Sequence, residues 1–287
     1  SIESNELIGS LSVDEDPAIL GIDTSSKKLY VSRMMIMTMN GMNMGSAENL
    51  IDEISYDSNG MTLIQTYDSG IPTPHGIDLN DSYVLTASNT TDFISRINRL
   101  TGEVLSVSLA PDINDNPNIE INRLKPLEIA INGDYAFITC SAGQWQNINT
   151  GEYENINGQV QVWNVSDMQK LHTYEFDVNS KPWHIDYHPY DDKVYVVLSG
   201  SSESEDSAGI ACLSFQNNTL SLDWETKSSD FSLLHGIALS SDGQFVYVSG
   251  RGDGNIYKFD ANSGLLLKTV NLVSSGMTRT GGIAVTQ

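Results

Sequence analysis

The chain has 287 residues and a mass of 31.4 kDa, with 39% apolar and only 18% charged residues, enough apolar side chain to bury a sizeable core. Fifteen Lys and Arg stand against 37 Asp and Glu, a formal charge of −22, which repels phosphate backbones and anionic membranes and excludes nucleic acid as a partner. Cations, proteins and polar or glycan-like ligands are permitted, and no apolar run reaches the roughly 18 to 20 residues that span a bilayer. The sequence begins at Ser1 rather than Met, which predicts a processed or trimmed chain and an extracytoplasmic setting: periplasmic, secreted or at a cell surface. Cys140 and Cys212 permit one disulfide and match no metal-ligand spacing.

In chain order, short segments built on an isoleucine recur as AILGID, PHGIDL, PLEIAI, PWHIDY, LHGIAL and TGGIAV. Aligned on Ile22, Ile77, Ile129, Ile185, Ile237 and Ile283, they are spaced 55, 52, 56, 52 and 46 residues apart. After each of the first five comes a β-branched and aromatic run: KKLYVS, DSYVLTAS, GDYAFITC, DKVYVVLS and GQFVYVSG. Such runs read as second strands. A third alternating run follows with a polar turn, as in EISYDSNG, FISRINRLTG and NIYKFDANSG, and then a fourth, as in MTLIQTY, VLSVSL and LLLKTV. Nothing reads as a long amphipathic helix. Four antiparallel strands in each unit of about 40 to 50 residues predict an all-β chain of β-propeller blades, folded as a single domain over 1–287.

The stretches PHGIDLNDSYVLTASNTTDFISRINRLTGEV and LHGIALSSDGQFVYVSGRGDGNIYKFDANSGLLLKTV resemble YVTN-type propeller repeats. That resemblance spans most of 17–287 and implies the propeller fold and an exported or surface-layer-like protein. It implies no single function, because such folds carry many. PLEIAI lacks the His-Gly pair, so no family site transfers as a unit. Five blades are complete in sequence and a sixth has its inner strand alone, near the C-terminus. The reading is therefore six blade positions with an irregular closing blade formed by the N-terminal stretch NELIGSLSVDED and the C-terminal strand; seven blades with part of the chain absent is the alternative.

Strand parity puts the second-to-third and fourth-to-first connections on one face, where the long segments 33–49, 110–125, 141–157 and 200–208 fall. The opposite face receives tight turns such as DSNG, RLTG and ANSG. Binding is expected on the long-loop face. Two positions before each repeat isoleucine should ring the channel mouth there. The first holds Leu20, His75, Leu127, Trp183, His235 and Gly281; the second holds Gly21, Gly76, Glu128, His184, Gly236 and Gly282. His75, Glu128, Trp183, His184 and His235 are the candidate ligand-binding residues, with His184 offset by one from the other two histidines and so facing the other side of its strand.

The segment RMMIMTMNGMNMG carries Met34, Met35, Met37, Met39, Met42 and Met44. Thioethers are soft donors that select Cu(I), and histidines at the mouth would extend such a site to Cu(II). The competing reading is an adaptable apolar pad. Asp112, Asn114, Asp115, Asn116, Asn118 and Glu120 are oxygen donors of the kind calcium takes, but Pro117 stands where an EF-hand turn needs glycine. Arg251-Gly252-Asp253 spells an adhesion tripeptide placed in a tight turn. Nucleophile elbows, phosphate loops and zincin motifs are missing from the sequence, which disfavours an enzyme. The leading expectation is a non-enzymatic binding or interaction protein using the long-loop face. Its rivals are a copper protein with Met and His ligands, and a surface subunit that self-assembles through the incomplete blade.

Overall fold

A computed structural model describes residues 7, 9–13, 17–34, 38–39, 42–43, 49–111, 121–147, 150–201, 204, 207–273 and 280–285, without the side chains of 38–39 and 42–43. Every named regular element among them is a strand. The chain divides into two compact units, Ser1–Lys125 and Pro126–Gln287.

The first unit holds β1 (Pro17–Asp23), β2 (Lys28–Arg33), β3 (Thr38–Met39), β4 (Met42–Asn43), β5 (Leu50–Asp57), β6 (Gly60–Asp68), β7 (Pro74–Leu79), β8 (Tyr83–Ser88), β9 (Phe93–Asn98) and β10 (Val104–Ser108). They make two four-stranded antiparallel sheets, β1-β2-β5-β6 and β7-β8-β9-β10, plus the small hairpin β3-β4 inside the methionine-rich loop. Tyr30, Ile51 and Tyr67 of the first sheet pack on Ile77, Val84 and Ile97 of the second.

The second unit holds β11 (Pro126–Asn132), β12 (Tyr135–Cys140), β13 (Gly143–Gln146), β14 (Tyr153–Ile156), β15 (Gln159–Asn164), β16 (Gln169–Glu175), β17 (Pro182–Tyr187), β18 (Lys193–Leu198), β19 (Gly209–Gln216), β20 (Thr219–Lys227), β21 (Leu234–Leu239), β22 (Phe245–Gly250), β23 (Asn255–Asp260) and β24 (Leu266–Asn271). Three more four-stranded sheets result, with the hairpin β13-β14 standing in the loop between β12 and β15. Ile185 packs back onto Phe137 and Val162 of the preceding sheet, and Ile237 onto Tyr195 and Ile210 of the one before it. The repeat isoleucines Ile77, Ile185 and Ile237 are thus residues that their sheets present to the preceding one, and burying one contributes on the order of 2 kcal/mol.

Five blades are therefore complete, each with its strands in sequence order from inside out. At the sixth position, residues 280–285 form no strand pairing, yet they take the seat of an inner strand. Ser249 Oγ donates to the Gly281 carbonyl and Thr280 Oγ1 to the Gly250 carbonyl at 2.7 Å. The seat is identified by its counterparts. Ser32 Oγ accepts from the Ile19 amide at 3.1 Å and donates to the His75 carbonyl at 2.5 Å. Thr139 Oγ1 accepts from the Glu128 amide at 3.1 Å and donates to the Trp183 carbonyl at 2.5 Å. Ser249 Oγ likewise accepts from the Gly236 amide at 2.9 Å. A hydroxyl near the end of the second strand clasps its own inner strand to the next one.

These clasps correct the alignment of the first blade. Ile19 occupies the place of Glu128 and Gly236, so Leu20, not Ile22, is the repeat residue, and the two mouth positions are Ala18 and Ile19 rather than Leu20 and Gly21. The register agrees, because the irregularity between Pro17 and Leu20 matches those between Pro74 and Ile77, Pro126 and Ile129, Pro182 and Ile185, and Leu234 and Ile237. Two apolar residues spaced by two, as in AILGID, satisfy the same face of a strand. The proline three residues before the repeat position is the mark that tells them apart.

Candidate functional site

Four inner strands, β7, β11, β17 and β21, start with the same local device. The residue ahead of each has a left-handed backbone although none is glycine: Thr73, Lys125, Lys181 and Leu233 have φ of 46°, 52°, 48° and 47°. Such conformations cost about 1–3 kcal/mol each and persist where the surroundings enforce them. An irregular register follows at once, and it holds the two residues between the proline or leucine and the repeat isoleucine. A bulge of this kind breaks the alternation of side chains and re-aims them. Both mouth residues of a strand are thereby freed from the two-faced rule that separated His184 from His235 in the sequence.

The consequence is seen in the second unit, where the starts of β11, β17 and β21 bring four of the candidate residues together. Glu128 Oε2 lies 3.7 Å from His184 Nε2, with the two side chains 8% and 13% exposed. The His184 and His235 rings lie 4.6 Å apart, centroid to centroid, tilted by 48°. The Trp183 ring is 5.7 Å from that of His235. Glu128 is further held by the Ile129 amide, which donates to its Oε1 at 3.3 Å. Trp183 Nε1 is buried and has no hydrogen-bond partner among the described residues, a donor that costs about 1–3 kcal/mol to leave unmet. Carboxylate and two imidazoles thus lie together, largely shielded from water, with the Trp183 ring beside His235, a set able to grip a polar or cationic ligand.

The remaining candidates are placed as follows. His75 stands half-buried at the start of β7 in the first unit, its carbonyl taken by the Ser32 hydroxyl. Met34 is half-buried, and its Sδ accepts from Asn89 Nδ2 at 3.0 Å. Met39 and Met42 are backbone partners in the register of the β3-β4 hairpin. Met35, Met37 and Met44 lie outside the described residues, as do Asp112, Asn114, Asp115, Asn116, Asn118 and Glu120. Among the described residues, no group of three or more His, Cys, Asp or Glu is placed to hold a metal ion. Asp253 of the Arg-Gly-Asp turn is occupied within the fold, accepting from the Ser232 amide at 3.1 Å and from Tyr257 Oη at 2.8 Å.

Sequence reasoning missed the clasp hydroxyls Ser32, Thr139 and Ser249, although each sits near the end of a second-strand run, where a Ser or Thr among β-branched residues was the available mark. It also missed a groove of about 830 Å³ between the outer parts of β20 and β24, lined by Thr226, Phe231, Asn255, Tyr257 and Leu266. That groove is open, and the inner hydroxyls and amides are already used: Tyr257 Oη bonds Asp253, and Thr226 Oγ1 bonds the Gly264 carbonyl at 2.8 Å. The cluster at the inner strands is smaller but gathers the chemistry.

No family model matches the sequence, and no curated protein matches it. Solved structures do. Hydrazine synthase of Kuenenia stuttgartiensis superposes with a TM-score of 0.68 at 13% identity, over 94% of this chain and 78% of that one. A protein from Lactobacillus plantarum gives 0.64 at 16% identity, over 91% and 73%. The WD40 β-propeller domain of Doa1 gives 0.57 at 10% identity, over 91% and 70%. Likeness at such identities speaks of architecture alone, and with five sheets of the required strand order it establishes that the chain has a β-propeller fold.

Proposed function

We propose that this chain is a non-enzymatic binding module, a YVTN-type propeller working outside the cytoplasm, that holds a small polar or cationic ligand or a partner's side chain at Glu128, Trp183, His184 and His235. The observation that carries this reading is the convergence of these residues at the bulged starts of three consecutive inner strands, with an indole N–H that has no acceptor among the described residues. Strained backbone ahead of each strand supports it, since strain of this kind gathers at ligand sites. The net charge of −22 draws cations and keeps phosphorylated polymers away. The extracytoplasmic setting follows from the resemblance to exported repeats.

The test is a defined panel of oligosaccharides, amines, carboxylic acids and short peptides, screened by thermal shift and then by tryptophan fluorescence against the wild type and a Glu128→Gln/His184→Ala/His235→Ala variant. A ligand bound by the wild type and at least ten-fold weaker in a variant of unchanged melting temperature supports the site. Ligands held equally well by both proteins would move the site elsewhere, and turnover of any panel member would overturn the non-enzymatic reading.

A further inference from the structure

We infer that residues 280–285 and the face of the fifth blade behind them form a docking surface for an extended acidic segment of a partner protein, which adds as the second strand of the sixth position. The inference goes beyond the site proposed above and uses none of its four side chains. Each of the five complete blades pairs its inner strand with a second strand. Residues 280–285 hold an inner-strand seat, with the Ser249 hydroxyl donating to the Gly281 carbonyl and the Thr280 hydroxyl to that of Gly250, and take no strand pairing among the described residues. Gly281, Gly282, Ala284 and Val285 are exposed there. An extended run fixed in place with an unpaired edge is a template for an added strand.

The side chains behind that edge fit such a strand. One blade earlier, β22 packs through Val246 and Val248 into a core with Tyr195, Ile210 and Cys212, which are at most 1% exposed. Tyr195 is the register partner of Cys212, and Val197 of Ile210, as Tyr247 is of Lys258 and Ser249 of Ile256, so Tyr247, Ile256 and Lys258 are their counterparts on the fifth blade. These three are only half-buried, as is Phe245, and Val270 beside Ile256 is 41% exposed. A strand set against 280–285 covers them as β22 covers the sheet before it. Charge names the occupant. Lys258 and Lys268 are cross-strand partners, and like charges set opposite one another destabilise a sheet; here they stand side by side in a chain of net charge −22. Lys258 Nζ lies over the Phe245 ring at 3.3 Å. Asp242, within electrostatic reach of Lys258, accepts from Ser240 and Gln244, and Asp260 accepts from Ser263. Aliphatic side chains for Tyr247, Ile256 and Val270, with carboxylates on the same face for the two lysines, are the complement of this surface. A second copy, with the same net charge, is repelled as a whole.

The experiment is fluorescence anisotropy of the full chain with a labelled peptide, TVTETVTETV, whose valines and glutamates share one face of an extended strand. Its controls are TVTKTVTKTV and two forms of the acidic peptide with one or the other set of alternate amides N-methylated. The acidic peptide is expected to bind, to weaken as salt is added, and to lose at least ten-fold in affinity when the set of amides that pairs with 280–285 is blocked. A Lys258→Glu/Lys268→Glu variant of unchanged melting temperature is expected to bind it at least ten-fold more weakly and to take up the lysine peptide instead; the salt dependence reads the same charge effect in the wild type. No binding of the acidic peptide at millimolar concentration, equal binding of the acidic and lysine peptides, or affinity indifferent to both N-methylated forms would overturn the inference. Binding seen only in a Leu7→Ser/Leu11→Ser/Val13→Ser variant would give the seat to this chain's own N-terminal stretch, and a rise of solution mass with concentration that the peptide reverses would give it to a second copy; either result overturns the partner segment.

Discussion

Replacing Thr139 with valine removes one hydroxyl and nothing else of the side chain's shape, so its cost isolates the clasp between consecutive blades. Thr139 is fully buried. Its Oγ1 accepts from the Glu128 amide at 3.1 Å and donates to the Trp183 carbonyl at 2.5 Å, so both partners lose their bond at once. Each buried group left unmet costs about 1–2 kcal/mol, and valine opens no cavity to add a packing loss. The sum is about 2–4 kcal/mol, roughly 30- to 700-fold in an equilibrium constant. Thr139→Ser keeps both bonds and gives up one methyl, about 1 kcal/mol. Urea unfolding measures the totals, and amide exchange at Glu128 measures the local opening. The valine variant should be the less stable of the two and should exchange its Glu128 amide faster by a comparable factor. A valine variant within about 0.5 kcal/mol of wild type, or a serine variant less stable than it, would refute the clasp as a stabilising device.

Burial pushes Asp186 up to about 6, against the amides of Leu239 and Tyr187 that donate to it. The folded state then binds more protons than the unfolded one between about pH 4 and 6, so this group's contribution to stability falls as pH rises through that window, by at most about 3 kcal/mol. Asp186→Asn should flatten that part of the stability profile, and an unaltered slope would contradict the assignment. Gly264 has φ of 69°, and a Cβ there would meet the Trp224 ring at 2.4 Å; Gly264→Ala should cost at least about 2 kcal/mol by thermal unfolding, through left-handed strain and overpacking together. Cys140 and Cys212 are buried, and burial pushes the Cys212 thiol up to about 12. Neither should react with a thiol-specific reagent until the protein unfolds, when both should titrate; fast reaction of the native protein would show that the cores of these sheets are open.

Much of the blade pattern was legible because it is written in local chemistry. A β-branched run such as FVYVSG, with a turn such as DANSG behind the next, specifies a strand and a reversal whatever surrounds it. The propeller follows from repeating that unit, since a sheet with an isoleucine facing one neighbour needs another sheet to bury it. The candidate residues His184 and His235 were also legible as residues of the inner-strand starts. Their meeting was not, because strict alternation along PWHIDY and LHGIAL sends them to opposite sides. Nor was the first blade's register, where Leu20 and Ile22 fit the pattern equally.

The sequence alone thus determined the kind and order of the strands, the number of complete blades and the connections that are long, all of which depend on neighbours within a few residues. Tertiary structure decided the rest. The left-handed residues ahead of β7, β11, β17 and β21 and the irregular register after them are forced by how each inner strand seats against the sheets around it. Glu128, His184 and His235 are separated by more than fifty residues at each step, and their shared site exists only because three consecutive sheets stack. Local propensity holds no information about such a distance; packing between sheets, fixed by the repeat isoleucines and the hydroxyl clasps, supplies it.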